Sequence, residues 1–154
     1  MAPRNLRSPA NKSNPPNHVY TPRGCGVSEL GDIEVVPRGN ELHLFHLTLP
    51  NHDVVQHAVS RDGLSWTPLP AALRTGDPGA IDDDQIWTMS VTPRPHGDGY
   101  LMLYTALASA DDGRVQRVAA ATSSDLIHWE KSDNNPVSEA DPRWYESKPG
   151  PTPA

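Results

Sequence analysis

At 154 residues the chain has room for one modest hydrophobic core. Its 19 acidic residues outnumber 13 Lys and Arg, and the net charge of −6 excludes a basic face for nucleic acid or a polybasic membrane patch. A lone cysteine, Cys25, excludes an internal disulfide, and no apolar run approaches the ~20 residues that span a bilayer.

Residues 1–26 are rich in Pro, Asn and Ser and carry Arg4, Arg7, Lys12 and Arg23 without an acid. They lack the apolar stretch of a secretory signal, so a cytoplasmic location and a disordered arm are expected. Cys25, between two glycines and with no activating neighbour in sequence, reads as a bland loop or buried thiol. The far end, residues 147–154, reads as a Pro-rich tail, which leaves 27–146 for the folded domain.

Within that domain the pattern is strand-like. "DIEVV" (32–36), "ELHLFHL" (41–47), "VVQHAVS" (54–60), "QIWTMSV" (85–91), "YLMLYTAL" (100–107) and "RVQRVAAATS" (114–123) are rich in β-branched, Leu and aromatic residues. Turn clusters such as Arg61-Asp62-Gly63 and Asp111-Asp112-Gly113 separate them. No long segment has a helical period. The expectation is all-β and antiparallel.

A repeat underlies the strands. Ala58, Ser60, Asp62 and Trp66 of "HAVSRDGLSW" match Ala121, Ser123, Asp125 and Trp129 of "AATSSDLIHW" at a constant offset of 63. The preceding strands, at Gly39–His46 and Gly97–Tyr104, echo each other as well. A repeat of about 60 residues holding four strands has the size of a β-propeller blade. The Trp after each Ser-x-Asp turn is expected to pack between sheets. Two such units fit here, fewer than the four to eight blades of a closed ring, so blade faces and edges are expected to be exposed.

Four of the seven histidines fall between His43 and His57, which raises the question of a metal. Strand alternation places His43 and His46 on opposite faces, and His57 lies on another strand, so convergent ligands are not expected. These three read as hydrogen-bonded sheet histidines; no metal site is assigned. His52 and Asp53 sit in a loop, where a polar pair suits sugar hydroxyls if the loop opens on the propeller's cavity. The run "GDPGAIDDDQIWT" (76–88) holds four aspartates without the spacing of a calcium loop, and reads as a solvated acidic loop. Trp87 and Thr88 follow it, at the place in the second unit that Asp32 holds in the first. A Trp there can stack on a sugar ring or pack in the core.

Taken together, "GDIEVVPRGNELHLFHL", "HAVSRDGLSWTPLPAAL", "DDDQIWTMSV", "YLMLYTAL" and "VAAATSSDLIHWEKSDNNPV" resemble the N-terminal part of the five-bladed β-propeller glycoside hydrolases of families 32, 43, 62 and 68. The resemblance runs over roughly 28–146. It implies a partial five-bladed propeller of about two blades, a carbohydrate substrate, no cofactor, and paired carboxylates acting on an O-glycosidic bond. It implies that the first acid is Asp32, on the first strand of blade one, although Ile33 stands where the family usually has Pro. Asp84 joins His52, Asp53, Trp87 and Thr88 as an expected substrate-binding residue. The remaining acids are expected in an Arg-Asp-Pro motif and near a Glu, in later blades. This chain has no Arg-Asp-Pro; Asp141-Pro142-Arg143 has the letters in another order and receives no role. The expectation is thus a fructosidase-, arabinofuranosidase- or xylosidase-like fragment, inactive by itself. The alternative is a non-catalytic carbohydrate-binding or self-associating β-sheet module.

Overall fold

A computed structural model of the chain describes residues 29–141, 143 and 144. The expected arm at 1–26, the tail at 147–154 and Cys25 lie outside the described residues.

Two antiparallel sheets form. The first contains β1 (Glu29–Arg38), β2 (Glu41–Leu49), β3 (Val54–Ser60) and β4 (Thr67–Arg74), in that spatial order. The second contains β5 (Gln85–Pro93), β6 (Tyr100–Leu107), β7 (Arg117–Ser123) and the short β8 (Glu130–Lys131), with β9 (Ser138–Glu139) also on β7. Among the described residues the only helical turn is 3-10, at Ser109–Asp111. Each sheet is a four-step meander, the blade expected from the repeat.

The sequence runs missed β4, and the reason is its two prolines. Pro68 and Pro70 lack N–H donors and read as loop, but β4 is the outermost strand, where a missing donor harms no ladder. The outermost strand of the second sheet is broken between β8 and β9. There the Asn135 side chain replaces a strand residue: its oxygen accepts from Ala120 N (2.7 Å) and its nitrogen donates to Ala120 O (2.9 Å).

The core lies between the sheets. Phe45, Leu47 and Val55 of the first meet Ile86, Met102, Tyr104, Ala119, Ala121 and Leu126 of the second. Each fully buried Phe, Leu or Met contributes roughly 1.5–3 kcal/mol. Trp129 stands edge-on to Phe45, ring centroids 5.7 Å apart, as expected for a Trp between sheets.

The repeat has a physical cause in the turns after β3 and β7. In the first, Ser60 Oγ donates to Asp62 Oδ1 (3.0 Å), and Asp62 Oδ1 accepts from Leu64 N and Ser65 N (2.8 and 2.7 Å). In the second, Ser123 donates to Asp125 (3.1 Å), which accepts from Ile127 N and His128 N (2.8 Å each). The Ser65 and Leu64 amides, then the Ser60 hydroxyl, hold Asp62 down at about 2. The His128 amide and ring and the Ile127 amide likewise hold Asp125 well below the usual carboxylate range.

Both turns need a left-handed residue. Gly63 supplies it at φ 70°, and its counterpart 63 positions on is Leu126, at φ 67°. A leucine pays a steric penalty there. It is retained because its side chain is fully buried in the inter-sheet core. Leu126→Ala is therefore expected to destabilise the fold by about 2–5 kcal/mol, read as a lower urea midpoint at unchanged m-value.

Candidate functional site

The site forms where the first strands of the two sheets, β1 and β5, run side by side. Both strands carry a bulge at the same level. On β1 the pairing jumps from Gly31↔Leu47 to Ile33↔His46, leaving Asp32 as the extra residue. On β5 it jumps from Trp87↔Thr105 to Met89↔Tyr104, leaving Thr88 extra. A bulge re-aims its side chain. Here the two bulged residues meet: Thr88 Oγ1 donates to Asp32 Oδ2 at 2.9 Å. One turn of pleat further on, Val91 N donates to Glu34 Oε1 (3.3 Å), a second link across the seam.

Asp32 has φ 32°, in the left-handed region that a non-glycine residue seldom adopts. His52, in the β2–β3 loop, has φ 53°. Strained backbone of this kind concentrates at functional sites. The loop is tied to β5 directly, since Ile86 N donates to His52 O (2.8 Å). His52 and Trp87 are thereby neighbours, with ring centroids 5.6 Å apart and planes tilted by 43°. His52 Nδ1 lies 2.9 Å from the Pro50 carbonyl, which can only accept. The ring proton is therefore on Nδ1, and Nε2 of the neutral ring is an acceptor. Trp87 is exposed, with its indole N–H on Gln85 Oε1 (2.6 Å), so it is a surface platform and not core packing.

Asp32, His52, Trp87 and Thr88 thus gather at one rim of the two blades. Asp53 is exposed beside them, and its carbonyl accepts from Thr75 N (3.0 Å). Asp84 is half-buried at the same end but faces the β6–β7 connection. A Cβ on Gly113 would meet its Oδ2, and its amide donates to Leu107 O (3.1 Å).

Two expectations need correction. The 76–88 run is not solvated throughout: Asp77 is exposed, but Asp82 is not. Asp82 is 2% exposed, accepts from the Tyr104 hydroxyl (3.0 Å) and pairs with Lys131 Nζ (2.5 Å). Burial first, and then the Asp82 charge, raises the Tyr104 phenol well above its ordinary value. Asp83 accepts from Ser109 N and Gly79 N (2.7 Å each), which hold its carboxyl below the usual range. These aspartates fasten the loop instead of decorating it. The second correction concerns the histidines. His46 donates to Leu47 O (2.9 Å), as expected of a sheet histidine. His43 and His57 do converge, however: His43 Nδ1 is 2.9 Å from His57 Nε2. Antiparallel pairing puts His57 opposite Phe45, so His43 is its diagonal neighbour on the same face. Among the described residues no three His, Cys, Asp or Glu side chains are grouped to hold a metal.

Two packed four-stranded meanders of this kind define the class of β-propellers. Comparison with known proteins narrows this. The profile of the "Glycosyl hydrolases family 32 N-terminal domain" matches residues 35–148, beginning just past Asp32, and the chain belongs to that family. Its two sheets are two blades of the family's five-bladed propeller.

Among curated relatives, the chain is 40% identical over 103 residues to beta-fructofuranosidase 1 of Zea mays, covering 62% of this chain and 15% of that protein. It is 38% identical over 104 residues to the 6(G)-fructosyltransferase of Asparagus officinalis, covering 62% and 17%. Among solved structures, beta-fructofuranosidase from Schwanniomyces occidentalis, complexed with fructosyl-erythritol, superposes with TM-score 0.61 at 19% identity, over 88% of this chain and 28% of that one. Fructan 1-exohydrolase IIa from Cichorium intybus gives TM-score 0.59 at 22% identity, over 88% and 24%. The chain spans about a sixth of the length of these curated relatives.

The Asp82–Lys131 pair yields a prediction. Lys131→Met would strand a buried carboxylate, while a methionine fills the same channel. A loss of about 3 kcal/mol is expected, the low end of the range because Lys131 is partly exposed. Chemical denaturation of the two proteins at neutral pH measures it.

Proposed function

We propose that this chain contributes the first two blades of a fructosyl-processing glycoside hydrolase and supplies one of its two catalytic carboxylates, Asp32. The observation that carries the reading is the paired bulge. It turns the Asp32 carboxylate off the innermost strand and hands Oδ2 a hydrogen bond from Thr88 across the seam.

In this reading Asp32 attacks the anomeric carbon of a fructofuranosyl unit, or activates the water that does. Thr88 orients the carboxylate. Trp87 offers its face to the sugar ring, and His52 Nε2 accepts from a ring hydroxyl. Asp53 flanks the same rim and serves the outer hydroxyls, while Asp84 supports that end from the side of the β6–β7 connection. A second acid must protonate the leaving oxygen. Glu34 is not assigned that role: it lies only two residues from Asp32 on the same strand, and its Oε1 receives the Val91 amide. The relatives include both fructofuranosidases and fructosyltransferases. The two outcomes share the first bond cleavage and differ in whether water or a sugar hydroxyl accepts the fructosyl group, so the acceptor is left open between them.

The chain should accordingly bind a fructosyl sugar at this rim without cleaving it. Titration of the chain with 1-kestose, followed by amide and indole NMR, is expected to shift Gly31, Asp32, Trp87 and Thr88 together. Asp32→Ala should weaken that response several-fold, and no fructose should be released. Shifts confined to other surfaces, or none at tens of millimolar sugar, would overturn the proposal.

A second reading has one observation in its favour. Leu103 (38% exposed) and Val118 (39%) share the face of the second sheet turned away from the first, with Val137 (47%) beside Val118. Such a face favours a self-associating module. A monomer in light scattering at several hundred micromolar would remove this reading.

A further inference from the structure

The histidine pair of the first blade is a buried titratable cluster that the site above does not use. His43 and His57 are each 1% exposed. Their inner nitrogens share one hydrogen bond of 2.9 Å. Their outer nitrogens, His43 Nε2 and His57 Nδ1, are buried without a hydrogen-bond partner. Two neutral imidazoles carry two ring protons, and only one can lie in the bridge. The other is on an outer nitrogen that has no acceptor, whichever tautomers are chosen. One more proton would put N–H on both outer nitrogens and a positive charge in the core.

No neighbour is free to compensate that charge. Arg38, on β1, is itself a cation. Glu41, on β2, is bound by Arg61 Nη2 at 3.0 Å. The Asp125 carboxylate, from the turn after β7, is filled by the Ile127 and His128 amides, the Ser123 hydroxyl and the His128 ring. On its remaining side His57 stacks on Phe45, ring centroids 4.5 Å apart.

That stacking connects the pair to the second blade. Phe45 carries Trp129 on its edge, and Arg38 Nη1 donates to the Asp125 carbonyl (3.2 Å). The Ser123–Trp129 turn therefore rests on the same few side chains as the histidines. We propose that the His43–His57 couple is an acid-triggered latch: while neutral it supports the inter-blade contact, and taking up one further proton releases the Ser123–Trp129 turn from the first sheet.

The electrostatics agree with the geometry. Burial lowers His43, and burial followed by the charge of His43 pushes His57 down to about 4. Both groups lie below the unfolded value of 6.5. The unfolded chain therefore binds protons first as the pH falls. The couple's contribution is complete above about 6.5 and is lost on the way down to about 4.

The test uses the 154-residue chain itself. Unfolding is followed between pH 7.5 and 4.5 for wild type, His43→Gln and His57→Gln. The wild-type unfolding constant should rise by up to about tenfold per pH unit for each proton taken up in this window. The variants should show a shallower slope. Equal slopes would overturn the proposal. Imidazole nitrogen NMR of the wild type keeps the test decisive if a variant does not fold: the His57 ring should stay neutral at pH 5.5, and titration of either ring near 6.5 would overturn it. The latch itself is read from amide exchange at Leu126, Ile127 and His128. Corrected for intrinsic rates, exchange there should accelerate at pH 5 ahead of β5 and β6; protection that stays level with those strands refutes a local release.

Discussion

The contact between the two sheets governs everything else in this structure. A single four-stranded blade has two apolar faces and no means of burying either one alone. Phe45, Leu47 and Val55 bury one face of the first blade against Met102, Tyr104 and Leu126 of the second. That packing places β1 beside β5, and only then can Thr88 reach Asp32. The candidate site is thus a property of the seam, and neither blade holds it alone.

The two ends of the seam are built differently. At the end opposite the site, the Ser-x-Asp turns satisfy their own backbone amides through side chains two and three residues away. Such turns fold locally and hold the strands at fixed separation. At the site end Asp32 and His52 are in left-handed conformations, as Leu126 is in the turn after β7. Strain persists only where the surroundings over-determine it. Here the His52 carbonyl is held by Ile86 N, and the β4–β5 loop below is fastened by the buried Asp82. The buried ion pair therefore serves the site indirectly, by fixing the loop that leads into β5.

What was legible in the sequence was local. Strand runs showed through their β-branched, Leu and aromatic content between turn clusters, and the 63-residue echo showed because each Ser-x-Asp turn is closed by its own side chains. Gly63 and Leu126 illustrate the limit: they share a backbone conformation, yet only the glycine advertises it. The bulges at Asp32 and Thr88 had no signature, since each is defined by a partner strand and neither residue is glycine. Asp82 read as solvent-facing because its partners Tyr104 and Lys131 are remote in sequence. The meeting of His43 with His57 depended on the β2–β3 register, which alternation on one strand cannot supply. The equivalence of Asp32's place with that of Trp87 and Thr88 was legible; that they touch was not.

The register of β1 explains why the strand must carry one extra residue between Gly31 and Ile33. Beyond it, Glu34 pairs with Phe45 and Val36 with His43, which puts Val36 in the core and Glu34 at the seam. Before it, Gly31 lies opposite Leu47, where a Cβ would stand 3.3 Å from the Leu49 side chain. A slip of one residue would exchange the faces of β1. Val36 would leave the core, Glu34 would lose the Val91 amide, and a side chain would replace the glycine against Leu49. These penalties oppose closing the bulge by a slip of either half of β1. The extra residue is the aspartate which faces Thr88, so the position of the carboxylate is set by packing on both sides of it and not by the hydrogen bond it finally makes.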